Sequence, residues 1–579
     1  MKKCKKRSLS SLLLSPRGGV ARAAAFAYCL FLLSIVSAQD TPPPESQKIR
    51  GIVVNTVTHE PVGRALVTSS DNRFATLTDG EGHFEFTIPV LPAPPSGGRV
   101  VRSAPVALTS LTARKPGFLD DRSSLMPGPV DKDNWIGLVP EALIIGHVVL
   151  PSSEPSDRIQ LELYRRQVRD GRARWGMQAQ VTSKSNGEFR FAELPAGSYK
   201  LLTRELLDND PLTFSPQGPL FGYPPVYFPG AGDFVSAETI EVTAGKTFLA
   251  DITLVKQRYF PVKVAVANAQ PGGGIQVLVY AHGHRGPGYS LGAGTNIEGM
   301  LPSGTYTVEA ASFGANSSTG SVSITVKDAP LDGTRMVLLP TSSIAVNVKE
   351  EFTNAEEPDR GVVIISGPPR GNPVGPRRYL NIYLEPADDF GFGQGASPRP
   401  PTGPEDESLV IEDIRPGRYW VKVNSSRGYA SSVTWGGVDL QHQPLVITGG
   451  SSPPIEVTMR DDWAEIDGTV EGPGTSSEAT NAAPSQGPLA FEDSAHLYLI
   501  PLPDSSGEMR EAWLGREGKI SLRQIPPGVY RALVFDRQQV DFEYHSAEAM
   551  RAYESKGQVV RLVGNQKEQV HLQLITKSE

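Results

Sequence analysis

Four stretches of this chain repeat one phrase: Phe191-Ala192-Glu193-Leu194-Pro195-Ala196-Gly197-Ser198-Tyr199, Met300-Leu301-Pro302-Ser303-Gly304-Thr305-Tyr306, Ile411-Glu412-Asp413-Ile414-Arg415-Pro416-Gly417-Arg418-Tyr419 and Leu522-Arg523-Gln524-Ile525-Pro526-Pro527-Gly528-Val529-Tyr530. In each, an apolar strand end meets a turn made by proline and glycine, and a tyrosine opens the next strand. The four glycines stand 107, 113 and 111 residues apart. A period near 110 residues is one β-sandwich per repeat. The four tyrosines, Tyr199, Tyr306, Tyr419 and Tyr530, then read as one packing solution used four times.

Working outward, apolar residues alternate with polar ones in Lys48-Ile49-Arg50-Gly51-Ile52-Val53-Val54 and Gly82-His83-Phe84-Glu85-Phe86. That period of two puts them on one face of a strand. It also decides how 58 glycines and 50 prolines are used: as turn residues between many short strands. Gly51, Gly146 and Gly468 each interrupt a first strand, at Ile49-Arg50-Gly51-Ile52-Val53, Ile145-Gly146-His147-Val148-Val149 and Ile466-Asp467-Gly468-Thr469-Val470. A glycine inside a strand marks a bulge or a close approach of backbone. The third repeat departs from the pattern, opening at Phe260-Pro261-Val262-Lys263-Val264-Ala265-Val266, with Asn296 and Glu298 where the others alternate. Helix is nearly absent, the best candidate being two turns at 546–554. Loops rich in Pro, Gly or Ser are expected at 206–232, 388–407 and 472–492, the last two mobile.

The expected fold class is therefore all-β, a tandem array of about five Ig-like or prealbumin-like β-sandwiches. The expected boundaries are 48–141, 142–256, 257–341, 342–462 and 463–579, after a short linker at 39–47. Residues 1–38 read as a signal peptide. Lys2, Lys3, Lys5, Lys6, Arg7, Arg17 and Arg22 precede an apolar run from Ala23 to Val36, and Val36-Ser37-Ala38 suits cleavage after Ala38. The run is short for a bilayer crossing, with an uncleaved anchor as the alternative. Cys29 lacks the small residues that precede a lipidated cysteine, and with Cys4 it lies in the removed segment. The mature chain would then contain neither disulfides nor thiols. Losing seven cations and no acids takes the formal charge from −7 to −14, which disfavours nucleic acid and anionic membrane surfaces as partners. No later apolar run has the length of a membrane helix. Periplasm, cell surface and external medium all agree with export.

The first repeat resembles the carboxypeptidase regulatory-like domain family through Gly51, Val53, Pro61, Val62, Ala65, Val67, Thr78, Asp79, Gly82, Phe84 and Phe86. Lys115-Pro116-Gly117-Phe118 resembles that family's closing strand. The second repeat is similar, and the later ones share only the turn and its tyrosine. Tyr223-Pro224-Pro225-Val226-Tyr227-Phe228-Pro229-Gly230 and Gly428-Tyr429-Ala430-Ser431-Ser432-Val433 resemble exported bacterial proteins with several such repeats. The resemblance implies a prealbumin-like sandwich and does not itself imply peptidase activity.

Catalytic constellations fail on their own terms. His545-Ser546-Ala547-Glu548 has the spacing of a zinc pair, but only His571 follows, and zinc chemistry needs three convergent ligands and an open position. Gly288-Tyr289-Ser290-Leu291-Gly292 matches a nucleophile elbow, yet Ala293-Gly294-Thr295-Asn296 after it cannot supply the required helix. His282 and His284 share a strand face with no third ligand in sight, and Thr78-Asp79-Gly80-Glu81-Gly82 reads as a β-turn rather than a calcium loop. No catalytic residue, metal ligand or cofactor is expected. Binding is the better class, since exposed aromatic rings in loops at sandwich ends recognise sugars. Tyr223, Tyr227 and Phe228 in a Pro-rich loop, and Tyr429 and Trp435 beside Ser431, Ser432 and Thr434, are the ligand-binding candidates. A polysaccharide is the first expected partner, and the alternative is a structural or adhesive scaffold for envelope proteins.

Overall fold

The computed structural model describes residues 46–69, 72–89, 110–120, 134–150, 158–207, 219–268, 274–283, 285–294, 296–312, 317–353, 379–388, 390, 395–403, 406–450, 452–471, 495–503, 505, 507–514 and 518–576. The signal segment, both cysteines, His284 and the loop 472–492 lie outside them, as do parts of the loops at 206–232 and 388–407. The protein is all-β, with five successive sandwich cores. They are built between Ile49 and Leu138, Ala142 and Leu254, Phe260 and Leu338, Ile344 and Met459, and Ala464 and Leu572.

All five sandwiches share one arrangement in one of their sheets. The first strand runs parallel to the last and antiparallel to a third on its other side. In the first sandwich Ser46–Asn55 lies between His83–Pro89 and Asn134–Leu138. Ala142–Val149 lies between Glu188–Leu194 and the pair Thr247–Leu249 and Ile252–Thr253. Ser342–Glu351 lies between Leu409–Ile414 and Ile455–Arg460, and Ala464–Glu471 between Lys519–Ile525 and Lys567–Ile575.

The parallel neighbour explains the interrupting glycines. A Cβ on Gly51, Gly146 or Gly468 would stand 2.1, 1.9 or 2.0 Å from the carbonyl oxygen of Asn134, Ala250 or Val570. They are close-approach positions, not bulges. The bulges fall on the neighbouring strand, just before the repeated turn. Glu193, Asp413 and Gln524 have φ of +55°, +59° and +57°, and the pairing register shifts at each place. Each shift returns Leu194, Ile414 or Ile525 to the core.

The third sandwich keeps the arrangement without the glycine. Gln257–Ala267 lies between Asn296–Pro302 and Leu331–Val337, and an irregularity at Val262/Val264 falls in its parallel pairing. Asn296 and Glu298 belong to a regular strand whose Ile297 and Leu301 are fully buried. Leu220–Tyr223 of the second sandwich pairs with the start of Gln257–Ala267 and so extends this sheet.

After each turn the tyrosine hydroxyl donates to the backbone carbonyl four residues earlier. The bonds are Tyr199 to Pro195 at 2.5 Å, Tyr306 to Pro302 at 2.9 Å, Tyr419 to Arg415 at 2.9 Å and Tyr530 to Pro526 at 2.8 Å. Each ring is buried, so the hydroxyl pairs with the turn it spans and the ring fills the core.

Two local expectations need correction. Lys115 to Phe118 form a turn after Leu111–Arg114, and Asn134–Leu138 is the closing strand. Pro116 and Gly117, with φ of +90°, suit a turn and not a ladder. Among the described residues the one helix is Ala547–Arg551, capped by the Ser546 side chain and shorter than two turns.

Candidate functional site

The sandwiches are folded back on one another, and the agent is a hairpin of the second. Gln160–Arg169 and Arg172–Thr182 are joined by Asp170 and Gly171, with φ of +47° and +69°. Asp-Gly tolerates two positive φ angles, which gives the tight turn that matches strand twist. Ten extended residues span about 33 Å, enough to leave one sandwich and reach others.

The tip enters between the fourth and fifth sandwiches. Toward the fifth, Arg166 forms a forked ion pair with Glu543, its Nη2 lying 2.8 Å from Oε2. The Val168 amide donates to Asp541 at 3.2 Å, and the His545 amide donates to the Gly171 carbonyl at 3.2 Å. Toward the fourth, the Arg172 guanidinium lies 3.7 Å over the Trp420 ring. Arg174 donates to Glu385 at 2.8 Å, with both side chains largely buried. Lys422 of the fourth sandwich touches both others, 3.0 Å from Asp170 and 3.7 Å from Glu508.

Further contacts close the assembly. Phe234 of the second sandwich packs edge-on against Phe390, with ring centres 4.4 Å apart. Arg285 of the third joins Asp388 at 3.5 Å, and Ser317 donates to Asp413 at 2.6 Å. Arg204 donates to Ser290 at 3.0 Å, and the Tyr227 hydroxyl donates to the Pro287 carbonyl. Glu205 lies half-buried at this junction of the second and third sandwiches. Burial pushes its carboxyl up to about 7, outweighing the Ser290 backbone and Arg204, which favour the charged form. The Tyr259 hydroxyl is close by, but neither it nor Oε1 of Glu205 finds a hydrogen bond of good geometry.

The five aromatic candidates are not brought together. Tyr223 and Phe228 belong to the core of the second sandwich. Tyr227 belongs to a side cluster with Tyr164, Phe234 and partly buried Trp175. The Pro-rich loop is laid onto its own sandwich: the Thr203 amide donates to Val226, and the Phe228 amide to Leu201. Tyr429 is 8 % exposed, donates to Asp462 at 2.7 Å and packs on Trp463 between the fourth and fifth sandwiches. A sugar-stacking platform needs a free ring face, and these four rings are buried. Trp435 is half-buried against the fourth core and donates to the Pro453 carbonyl at 3.0 Å.

The remaining motifs are accounted for locally. Ser290 follows Tyr289, which bridges Val279 in antiparallel fashion, and its hydroxyl accepts from Arg204. His282 lies 3.6 Å from Asp233, and His571 pairs with Thr469 at 3.0 Å. Asp79 accepts from the Glu81 and His83 amides, which is a turn held by its own side chain. His545 sits in the three-sandwich junction. Burial, with Arg172 and Lys422 nearby, pushes its imidazole down to about 4. Among the described residues no group of three or more His, Cys, Asp or Glu is placed to hold a metal ion. No helix among them is long and apolar enough to cross a membrane. The junction is the part that single-repeat reading missed. Asp170-Gly171, flanked by Arg169 and Arg172, was the available signal.

No protein-family model matches the chain, and no curated protein matches it. Solved structures similar to it include the Bacillus anthracis TIE protein, at 9 % identity over 92 % of this chain and 69 % of that one, with a TM-score of 0.13. The Streptococcal ancillary pilin is 12 % identical over 55 % of this chain and 99 % of that one, with a TM-score of 0.17. BcpA, the major pilin subunit of Bacillus cereus, is 9 % identical over 75 % and 99 %, with a TM-score of 0.13. TM-scores this low carry no statement about function.

Proposed function

We propose that this chain is an exported, non-enzymatic scaffold of the cell envelope whose five sandwiches, divided as 48–141, 142–256, 257–341, 342–462 and 463–579, present protein-binding surfaces in a fixed relation. The resemblance of the first repeat to carboxypeptidase regulatory-like domains is part of this reading, as is cleavage after Ala38. One observation carries it: the second sandwich grips the fourth and fifth at once through the tip of one hairpin. A flexible spacer gains nothing from such a grip, whereas a scaffold needs it to hold distant faces rigid. The burial of Tyr223, Tyr227, Phe228 and Tyr429 removes the support for a polysaccharide ligand.

The test is to immobilise residues 39–579 and challenge them with a glycan array and with solubilised envelope proteins. Saturable capture of one protein, competed by free scaffold and lost when Gly171→Arg loosens the junction, is the expected result. Retention of a glycan with no protein captured would replace this reading with the polysaccharide one.

A further inference from the structure

The hairpin tip closes one side of a cleft of about 240 Å³ where the second, fourth and fifth sandwiches meet. Its charged lining is Arg172, Lys422, Arg510 and Glu508, with His545 beside them. Lys422 is balanced by Asp170 and Glu508. Arg172 is balanced only from a distance, by Asp170 and Glu385, which favour its charged form without pairing with it. It forms no ion pair with a carboxylate among the described residues, and its one close partner is the Trp420 ring. Burial pulls its pKa below the ordinary arginine value. A cation over an aromatic ring recovers only ~0.5–2 kcal/mol, and the guanidinium keeps a planar fork of N–H donors that a carboxylate or phosphate would match.

His545 lines the same cleft. Burial depresses its imidazole first, Arg172 and Lys422 depress it further, Asp170 opposes them, and His442 adds slightly. The cleft lining thus carries three cations, Arg172, Lys422 and Arg510, and one carboxylate, Glu508, with Asp170 paired to Lys422, in a chain whose formal charge is −7.

We propose that this cleft is a binding site for a small oxyanion, a phosphate or carboxylate group, held by the Arg172 guanidinium against Trp420, with Lys422 alongside. The site exists only while the hairpin is docked, because Arg172 comes from the second sandwich and Trp420 and Lys422 from the fourth. An anion bound there strengthens the grip by the ordinary linkage of ligand to a closed state.

The test is a calorimetric titration of residues 39–579 with inorganic phosphate and, separately, with glucuronate at constant ionic strength. The His545 ring signal is followed by NMR and assigned with His545→Gln. One bound anion per chain is expected, together with a rise of the His545 pKa toward the ordinary histidine range. Arg172→Met should weaken binding at least tenfold, and Arg172→Lys, which keeps the charge and loses the fork, at least threefold. Binding of phosphate alone assigns a phosphate-type ligand, and binding of glucuronate alone an acidic sugar or other carboxylate. Binding of neither, equal binding by wild type and both Arg172 variants, or binding that leaves His545 unmoved would overturn the proposal. Retained protein capture without anion binding would separate this failure from failure of the scaffold reading.

Discussion

A Cβ placed on Gly171 would stand 2.6 Å from the Tyr544 ring, so the tip of the second sandwich and the surface of the fifth meet with no room for any other residue. The φ of +69° at Gly171 adds a second reason for glycine. Gly171→Ala pays both penalties: about 1–2 kcal/mol for the left-handed backbone and a further ~1–3 kcal/mol for overpacking. The expected outcome is an undocked but folded second sandwich. Small-angle scattering should show a larger radius of gyration with unchanged circular dichroism.

The tyrosine that spans each turn should matter for its hydroxyl as well as its ring. In Tyr530→Phe the ring stays in the core, while the Pro526 carbonyl loses its 2.8 Å partner. The expected loss is about 0.5–1.5 kcal/mol, read from the urea midpoint of the fifth sandwich. Tyr306→Phe should cost a similar amount in the third.

Replacing the close-approach glycines should be far worse than their small size suggests. Gly468→Ala would press a methyl group to 2.0 Å from the Val570 carbonyl oxygen, which neither strand can relieve without breaking the ladder. A cost of at least ~1–3 kcal/mol is expected, with thermal unfolding as the readout. Gln524→Gly, at φ of +57°, should have the opposite sign and stabilise by up to about 1 kcal/mol.

Glu205 makes one junction sensitive to pH. Its folded pKa of about 7 lies above the unfolded value near ~4.3, so the folded state holds the proton more tightly. The neutral carboxyl contributes stability fully below the unfolded pKa, and that contribution is lost as pH rises through about 7. The contact between the second and third sandwiches should weaken from pH 5 to pH 8 by up to ~3 kcal/mol. Glu205→Gln should flatten this dependence and stabilise the protein at pH 8, as differential scanning calorimetry would show.

The parts legible in the sequence were those set by neighbours along the chain. Proline, glycine and tyrosine at fixed offsets dictate a turn and a strand start, and alternation in Ile49 to Val53 dictates a buried face. Gly51, Gly146 and Gly468 pointed to a bulge or to crowding, and the partner strand decided for crowding. The aromatic candidates misled because Tyr227 and Phe228 sit among prolines, which suggests an exposed loop. The Thr203–Val226 and Leu201–Phe228 backbone bonds instead press that loop onto its sandwich. Docking was illegible for a different reason. Arg166 and Glu543 are 377 residues apart, and no periodicity or turn chemistry links positions so distant. Only the Asp170-Gly171 pair gave a local hint, and it named a hairpin without naming what the hairpin touches.

The most direct test is a double-mutant cycle on Arg166 and Glu543, read from hydrogen exchange of the His545 amide, which donates to Gly171 across the same contact. The cycle comprises wild type, Arg166→Met, Glu543→Gln and the double variant. A docked hairpin predicts a coupling energy of about 1–3 kcal/mol. Additivity within ~0.3 kcal/mol would mean that the two sandwiches do not hold each other, and the folded-back scaffold would be contradicted.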